Sequence, residues 1–325
     1  MEITIDERIE LITVVQTLCN YWDDLSIRFT NKPLYHCKYK EDLKEYFGKY
    51  NNHETIGLYN NLSNDIMDIS AFVKIALCCS NPPELNNIAN YEDNLETINN
   101  LAFPYGEFID KLRNFYIDTN FEQFYKKCQN EYIRIVNDYG NKMELSENTI
   151  LDYLECKSEN YNIIISPLIM GNFGLKINTN NNVLHYSVIS PYDYKENKYL
   201  FGPINFKKEL LWHEISHLTI NDLTKKYLDQ FPINEKQVPE IFVKHLYTNV
   251  EAIINEYIIR SITIRLLEKI GEIEFMENSI KSHISKGFYN IVQIKEYIKE
   301  NYEENGKFII DSRYAILMEY VLNKI

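Results

Sequence analysis

The sequence predicts a mostly α-helical α+β protein, in which an all-helical half precedes a half that opens on a small antiparallel sheet. Three observations predict it. Apolar residues recur at helical spacing through most of the 325 residues. Two short β-branched runs, residues 162–170 and 183–189, interrupt that texture near the middle of the chain. Between them lies a Gly- and Asn-rich stretch, Gly171 to Asn182, of the kind that joins strands. Single cores stop growing near ~250–300 residues, so a chain of this length is expected to form two subdomains. The change of texture sets them at 1–158 and 159–325.

The first element is a helix from Asp6, where Ile9, Leu11, Ile12, Val15, Leu18 and Cys19 line one face behind an Asp cap. The Ile3/Ile5 alternation before it reads as a strand or an arm. Further helices are expected at Glu41 to Tyr50 and at Ile66 to Cys79, the latter stopped by Asn81-Pro82-Pro83. Phe108 to Tyr116, Phe121 to Val136 and Ser146 to Cys156 continue the pattern, with a break at Tyr139-Gly140-Asn141. The two β-branched runs follow, with Phe173 to Ile177 as a possible further strand. After them the period returns to helical around residue 213, then over Val243 to Leu267, Ile273 to Ser285, Ile291 to Tyr302 and Ser312 to Asn323.

Composition narrows the function. With 34 Lys and Arg against 47 Asp and Glu, the net charge is −13. No basic cluster appears, which argues against nucleic acid or an anionic membrane surface as partner. The acidic start, Met1 to Arg8, lacks the basic and apolar regions of a secretory signal, and no window approaches 18 apolar residues. A cytoplasmic location is therefore expected. The six cysteines, Cys19, Cys37, Cys78, Cys79, Cys128 and Cys156, show no C-x-x-C spacing and read as buried thiols in a reducing compartment.

The chemistry sits in Trp212-His213-Glu214-Ile215-Ser216-His217, an H-E-x-x-H pattern. On a helix, His213 and His217 share a face where two neutral imidazoles can hold one Zn²⁺, and Glu214 can reach a water beside it. Phe206, Leu210, Leu211, Ile215 and Leu218 supply an apolar stripe, and Pro203 and Asn205 a start signal. The alternative reading is a buried helix whose histidines are satisfied by hydrogen bonds. Burying two His and a Glu costs free energy unless something compensates them, and a metal accounts for all three together.

Catalytic zinc takes three protein ligands and leaves one place open. The extended metzincin pattern fails, because Ile220 and Leu223 stand where Gly and His are needed. A later helix offers Glu251 and Glu256, 34 and 39 residues after His217. Five residues turn them about 140° apart, so both are not expected to face one ion. Glu256 is the stronger candidate, on a face with Ala252, Ile253 and Ile259; Glu251, with Asn255 four residues on, stays open. Each Glu can equally serve an exposed or intrahelical pair, such as Glu256 with Arg260.

This order, a small sheet, an H-E-x-x-H helix and then a Glu helix, resembles the zincin peptidases, and the Glu helix is similar to the thermolysin-like gluzincin clan. More narrowly, the chain resembles an uncharacterised bacterial family of predicted zinc metallopeptidases. That resemblance rests on Asp6-Glu7-Arg8-Ile9-Glu10-Leu11, Tyr46-Phe47 with His53 six residues on, His213 to His217, and Glu256 to Arg260. It implies a zincin-like catalytic half, a metal-dependent hydrolase, a peptide or protein substrate, and Glu256 as third ligand. The expected reaction is attack of water on a carbonyl, with Glu214 as general base. An oxyanion-stabilising residue is also expected, for which Tyr289, His245 and Tyr257 are candidates beside the plainer reading that each is packing or surface. His53 and His185 read as hydrogen-bonded or solvent-facing. A helical binding or scaffold protein with a structural or vestigial zinc site is the alternative function.

Overall fold

In the computed structural model the described residues are 3–63, 70–94, 104–140, 146–155, 161–180, 182–231, 237–245, 247, 249–309 and 311–325. They form a mostly helical α+β fold. The start of the helix expected from Ile66, the break at Asn141, and Cys156 lie outside the described residues.

The chain divides into two compact units, Met1–Asn141 with Asn160–Gly202, and Lys142–Glu159 with Pro203–Ile325. The expected division at 158/159 differs from this: the sheet belongs with the first helices rather than with the H-E-x-x-H helix. The physical reason is strand pairing. The residues that read as a strand or arm form β1 (Ile3–Thr4), which pairs in parallel with β2 (Tyr161–Ile165) and so joins the start of the chain to the sheet.

The sheet has the order β1-β2-β4-β3, where β3 is Phe173–Asn178 and β4 is Val183–Ile189. It is mixed, not antiparallel as expected. The chain runs along β2, reverses into β3, and reverses again into β4, which settles between the two. β4 is therefore parallel to β2, with Ile163 opposite Ser187, and antiparallel to β3, with Leu175 opposite Tyr186. Phe173, Leu175 and Ile177 on the edge strand β3 are buried and alternate with half-buried Gly174, Lys176 and Asn178. Central β2 buries Ile163, Ile164 and Ile165 consecutively, the pattern of a strand covered on both faces. A hairpin, β5 (Asp193–Lys195) and β6 (Lys198–Leu200), follows.

The helices of this unit are α1 (Glu7–Leu18), α2 (Tyr21–Thr30), α3 (Lys38–Phe47), α4 (Glu54–Ser63), α5 (Ala71–Leu77), α6 (Tyr91–Asn94), α7 (Tyr105–Asp118), α8 (Phe121–Lys127) and α9 (Gln129–Gly140). The helix expected over Phe121 to Val136 is two, separated at Cys128. The α1 helix is central: every residue from Arg8 to Thr17 is buried. Asp6 caps it, accepting from the Arg8 amide at 2.9 Å and pairing with the Arg8 guanidinium, which also donates to the Cys79 carbonyl. Glu10, wholly buried, accepts from Tyr39 Oη at 2.6 Å and Ser166 Oγ at 2.8 Å. Burial pushes its carboxyl up to about 7, against the lowering effect of those two hydrogen bonds.

The second unit holds α10 (Ser146–Tyr153), α11 (Ile204–Tyr227), α12 (Glu240–Val243), α13 (Val250–Lys269), α14 (Ile273–Ser285), α15 (Ile291–Asn301), a hairpin of β7 (Glu303–Glu304) and β8 (Lys307–Phe308), and α16 (Tyr314–Leu322). The long helix expected over Val243 to Leu267 begins later, at Val250, where Asn249 accepts from the Ala252 amide at 2.7 Å and caps it. α13 is the core of this unit, with Ile253, Ile254, Tyr257, Ile258, Ile259, Ile262, Ile264, Leu266 and Leu267 all buried. It packs most extensively against α11 and α15. Gly287, at φ +101°, lets the chain turn close against Ile241 after α14.

Candidate metal centre

The H-E-x-x-H motif lies wholly within the 24-residue helix α11, which starts after Pro203 as expected. Its buried stripe runs through Leu211, Trp212, Ile215, Ile220 and Thr224. Phe206, assigned to that stripe from the sequence, is instead 40% exposed, while its neighbours Asn205 and Lys207 are half-buried.

Four-residue spacing brings the two imidazoles together: the ring centroids of His213 and His217 are 4.8 Å apart and the Nε2 atoms 3.1 Å apart. From α13, Glu256 directs Oε1 to a point 3.4 Å from each Nε2. Three donor atoms thus face one another in a near-equilateral triangle. Tetrahedral bonds of ~2.0–2.1 Å to zinc place neighbouring donors about 3.3–3.4 Å apart, so the spacing suits that ion. The Nδ1 atom of His217 lies 3.2 Å from Asn221 Oδ1, one turn along the helix. With its proton directed to Asn221, the ring presents the Nε2 lone pair to the triangle.

Glu256 is 8% exposed. Its second oxygen, Oε2, lies 2.6 Å from Arg260 Nη2, an ion pair rather than a well-aligned hydrogen bond. Burial pushes the Glu256 carboxyl up, but Arg260 and the two imidazoles outweigh it and hold the group well below the usual carboxylate range. Burial likewise pushes the His217 imidazole down; Glu256, Glu214 and Asn221 overcome it and leave its pKa raised.

Arg260 is fixed in turn. Its Nη1 lies 3.0 Å from His283 Nδ1, its Nη2 donates to Tyr247 Oη at 3.1 Å, and its carbon sits 4.8 Å from the centre of the Phe288 ring. The far nitrogen of His283 is 3.2 Å from Glu209 Oε1 and 3.1 Å from Ser279 Oγ, and Ser279 donates to the same Glu209 oxygen. Burial lowers the His283 pKa. A neutral ring then accepts from Arg260 at Nδ1 and donates from Nε2 towards Glu209.

The chain matches the family described as a domain of unknown function, DUF4932, over residues 1–321. It belongs to that family. No curated protein and no solved structure matches it. Since the family description names no activity, the chemistry of this DUF4932 chain rests on its own residues. His213, His217 and Glu256 are the one group of metal-capable side chains among the described residues. Glu214, 5% exposed, takes no hydrogen bond or ion pair among the described residues, so its carboxylate is available to an incoming group.

Other expectations resolve differently. Glu251 is in the first turn of α13, where a carboxylate suits the helix dipole, and does not join the triangle. Tyr289 is 63% exposed and His245 is exposed, while Tyr257 is buried and donates to the Gly287 carbonyl at 3.3 Å. None of the three is placed among the donor atoms. His53 accepts from the Thr55 amide at 3.2 Å at the start of α4, and its other nitrogen faces Asp118 at 3.2 Å, which gives it a part in the fold. Tyr247, Glu209, Ser279 and His283 escaped the sequence reading. Tyr247 and the α14 pair Ser279 and His283 come from two further stretches of chain, and only Glu209, one turn before His213 on α11, carried a positional signal. Five cysteines, Cys19, Cys37, Cys78, Cys79 and Cys128, are free, and no helix among the described residues is long and apolar enough to cross a membrane.

Proposed function

We propose that this chain is a zinc-dependent hydrolase that cuts peptide bonds. The observation that supports this most is the meeting of Glu256 Oε1 with the Nε2 atoms of His213 and His217 at 3.4 Å, beside a buried Glu214 that takes no hydrogen bond or ion pair among the described residues. His213, His217 and Glu256 would hold the ion. Bound zinc supplies a Lewis acid that polarises a carbonyl and brings the pKa of water towards ~7. Glu214 accepts the proton of the attacking water and delivers it to the leaving nitrogen, so no covalent enzyme intermediate is needed. Arg260 keeps Glu256 ionised and aimed, and Asn221 holds the His217 ring in the tautomer that leaves Nε2 free.

The choice of a peptide substrate rests on the resemblance to gluzincins, since other amides need the same donors. The free thiols accord with a reducing, cytoplasmic compartment. The test is metal analysis of the purified chain with a peptide-library screen. About one zinc per chain is expected, with hydrolysis abolished by a chelator and restored by zinc. Absence of bound zinc ends the proposal, and stoichiometric zinc without hydrolysis of any peptide points instead to a scaffold with a structural ion.

A further inference from the structure

A carboxylate has two oxygens, and in this unit they are assigned to different partners. Oε1 of Glu256 faces the imidazoles of His213 and His217, while Oε2 lies against Arg260 Nη2 at 2.6 Å. Arg260 is one helical turn beyond Glu256, a spacing at which the two side chains meet without any change in the backbone. Left to itself a guanidinium on a long side chain samples many rotamers, and holding it in one costs entropy. Here the restraints come from elsewhere in the fold. His283 on α14 receives one Nη1 hydrogen at 3.0 Å, Tyr247 receives an Nη2 hydrogen at 3.1 Å, and Phe288 covers the guanidinium face. The ring of His283 is itself fixed by Glu209 and Ser279, at 3.2 and 3.1 Å from its other nitrogen.

We infer that Arg260, fixed by His283 and Glu209, is a positioning residue that occupies Oε2 of Glu256 and so leaves a single oxygen, Oε1, for a metal. Two features of this arrangement tie it to the ion. Glu209 precedes His213 by one turn on α11, so the relay starts and finishes on the same two helices that carry the donors, α11 and α13, with α14 bracing them. And the cationic neighbour of Glu256 is itself oriented by three groups, His283, Tyr247 and Phe288. One-oxygen binding also leaves a coordination place for water, which is what separates a hydrolytic site from a closed structural one. The inference rests on the proposed zinc site and adds how its carboxylate is set.

The test is zinc affinity by chelator competition on the full chain, with folding checked by circular dichroism, for wild type, Arg260→Met, Arg260→Lys, His283→Gln, Glu256→Ala and the Glu256→Ala/Arg260→Met pair. We expect Arg260→Met to weaken zinc about 10–100-fold, the range for losing a partner that orients a ligand. His283→Gln should weaken it less and Arg260→Lys should recover part of the loss. In the Glu256→Ala background, Arg260→Met should have no further effect. Cobalt substituted for zinc should show a changed visible spectrum in Arg260→Met relative to wild type. If Arg260→Met does not fold, His283→Gln alone decides. Folded variants within twofold of wild-type affinity, or an undiminished Arg260 effect without Glu256, overturn the inference alone. A wild-type chain that takes up no zinc overturns the site and the inference together.

Discussion

The Nε2 atoms of His213 and His217 stand 3.1 Å apart on one face of α11. Two basic nitrogens held that close, with a carboxylate oxygen 3.4 Å from both, form a cation-binding geometry.

Glu214→Gln keeps the shape of the side chain and removes its basicity. Zinc content should stay at wild-type level while any peptide hydrolysis falls at least about a hundredfold, the usual worth of a general base. Steady-state rates alongside metal analysis check this; wild-type turnover in the variant would take the role away from Glu214.

Glu256→Ala and Glu251→Ala should part company. The first removes a donor that faces both imidazoles and should cost more than about a hundredfold in zinc affinity, beyond the loss expected for an outer hydrogen-bond partner. The second alters the first turn of α13, away from the three donor atoms, and should leave zinc binding unchanged. Equal occupancy in both variants would place the third ligand elsewhere.

Glu10 gives the first unit a pH dependence of its own. Burial pushes its carboxyl up to about 7, so between about 4.5 and 7 the folded chain holds a proton that the unfolded chain has released. Stability therefore falls as pH rises through that window, by up to about 3 kcal/mol at 1.36 kcal/mol per pKa unit. Denaturant midpoints of wild type and Glu10→Gln, compared at pH 4.5 and pH 8, should differ more in favour of the variant at the higher pH. A difference independent of pH would exclude Glu10 as the source.

Gly287→Ala should destabilise the second unit by about 1–3 kcal/mol. The residue has φ +101°, and an added Cβ would lie 2.9 Å from both Cγ atoms of Ile241. Thermal unfolding measures the effect, and a variant as stable as wild type would show that Ile241 yields.

How far the sequence carried this description depends on the range of each interaction. The pairing of His213 with His217 was legible because it is a property of one helix, fixed by 3.6 residues per turn. The choice of Glu256 over Glu251 was only half legible: helical rotation says that they diverge, but which one turns towards α11 is set by packing between helices. Arg260, His283 and Glu209 act on one another from three helices, and no spacing along the chain encodes such an arrangement. In the sheet, the strands themselves followed from β-branched runs, but their directions depended on β4 settling between β2 and β3. Two hairpins passed unnoticed despite local signals. Asn305-Gly306 joins β7 to β8 and Glu196-Asn197 joins β5 to β6, each with positive φ at both positions, the conformation that matches the twist of a two-residue hairpin. The strands they join are two or three residues long and gave no alternation to read.

The edge strand β3 ends under a side chain that imitates a peptide group. Asn94 accepts from the Asn178 amide at 2.7 Å and donates to its carbonyl at 3.0 Å, and Ala89 bridges to Thr179 beside it. Both backbone groups of Asn178 are therefore saturated by the chain itself. A second molecule seeking to extend the sheet from that end would have to displace Asn94 first, which guards against runaway aggregation through the unpaired margin of β3.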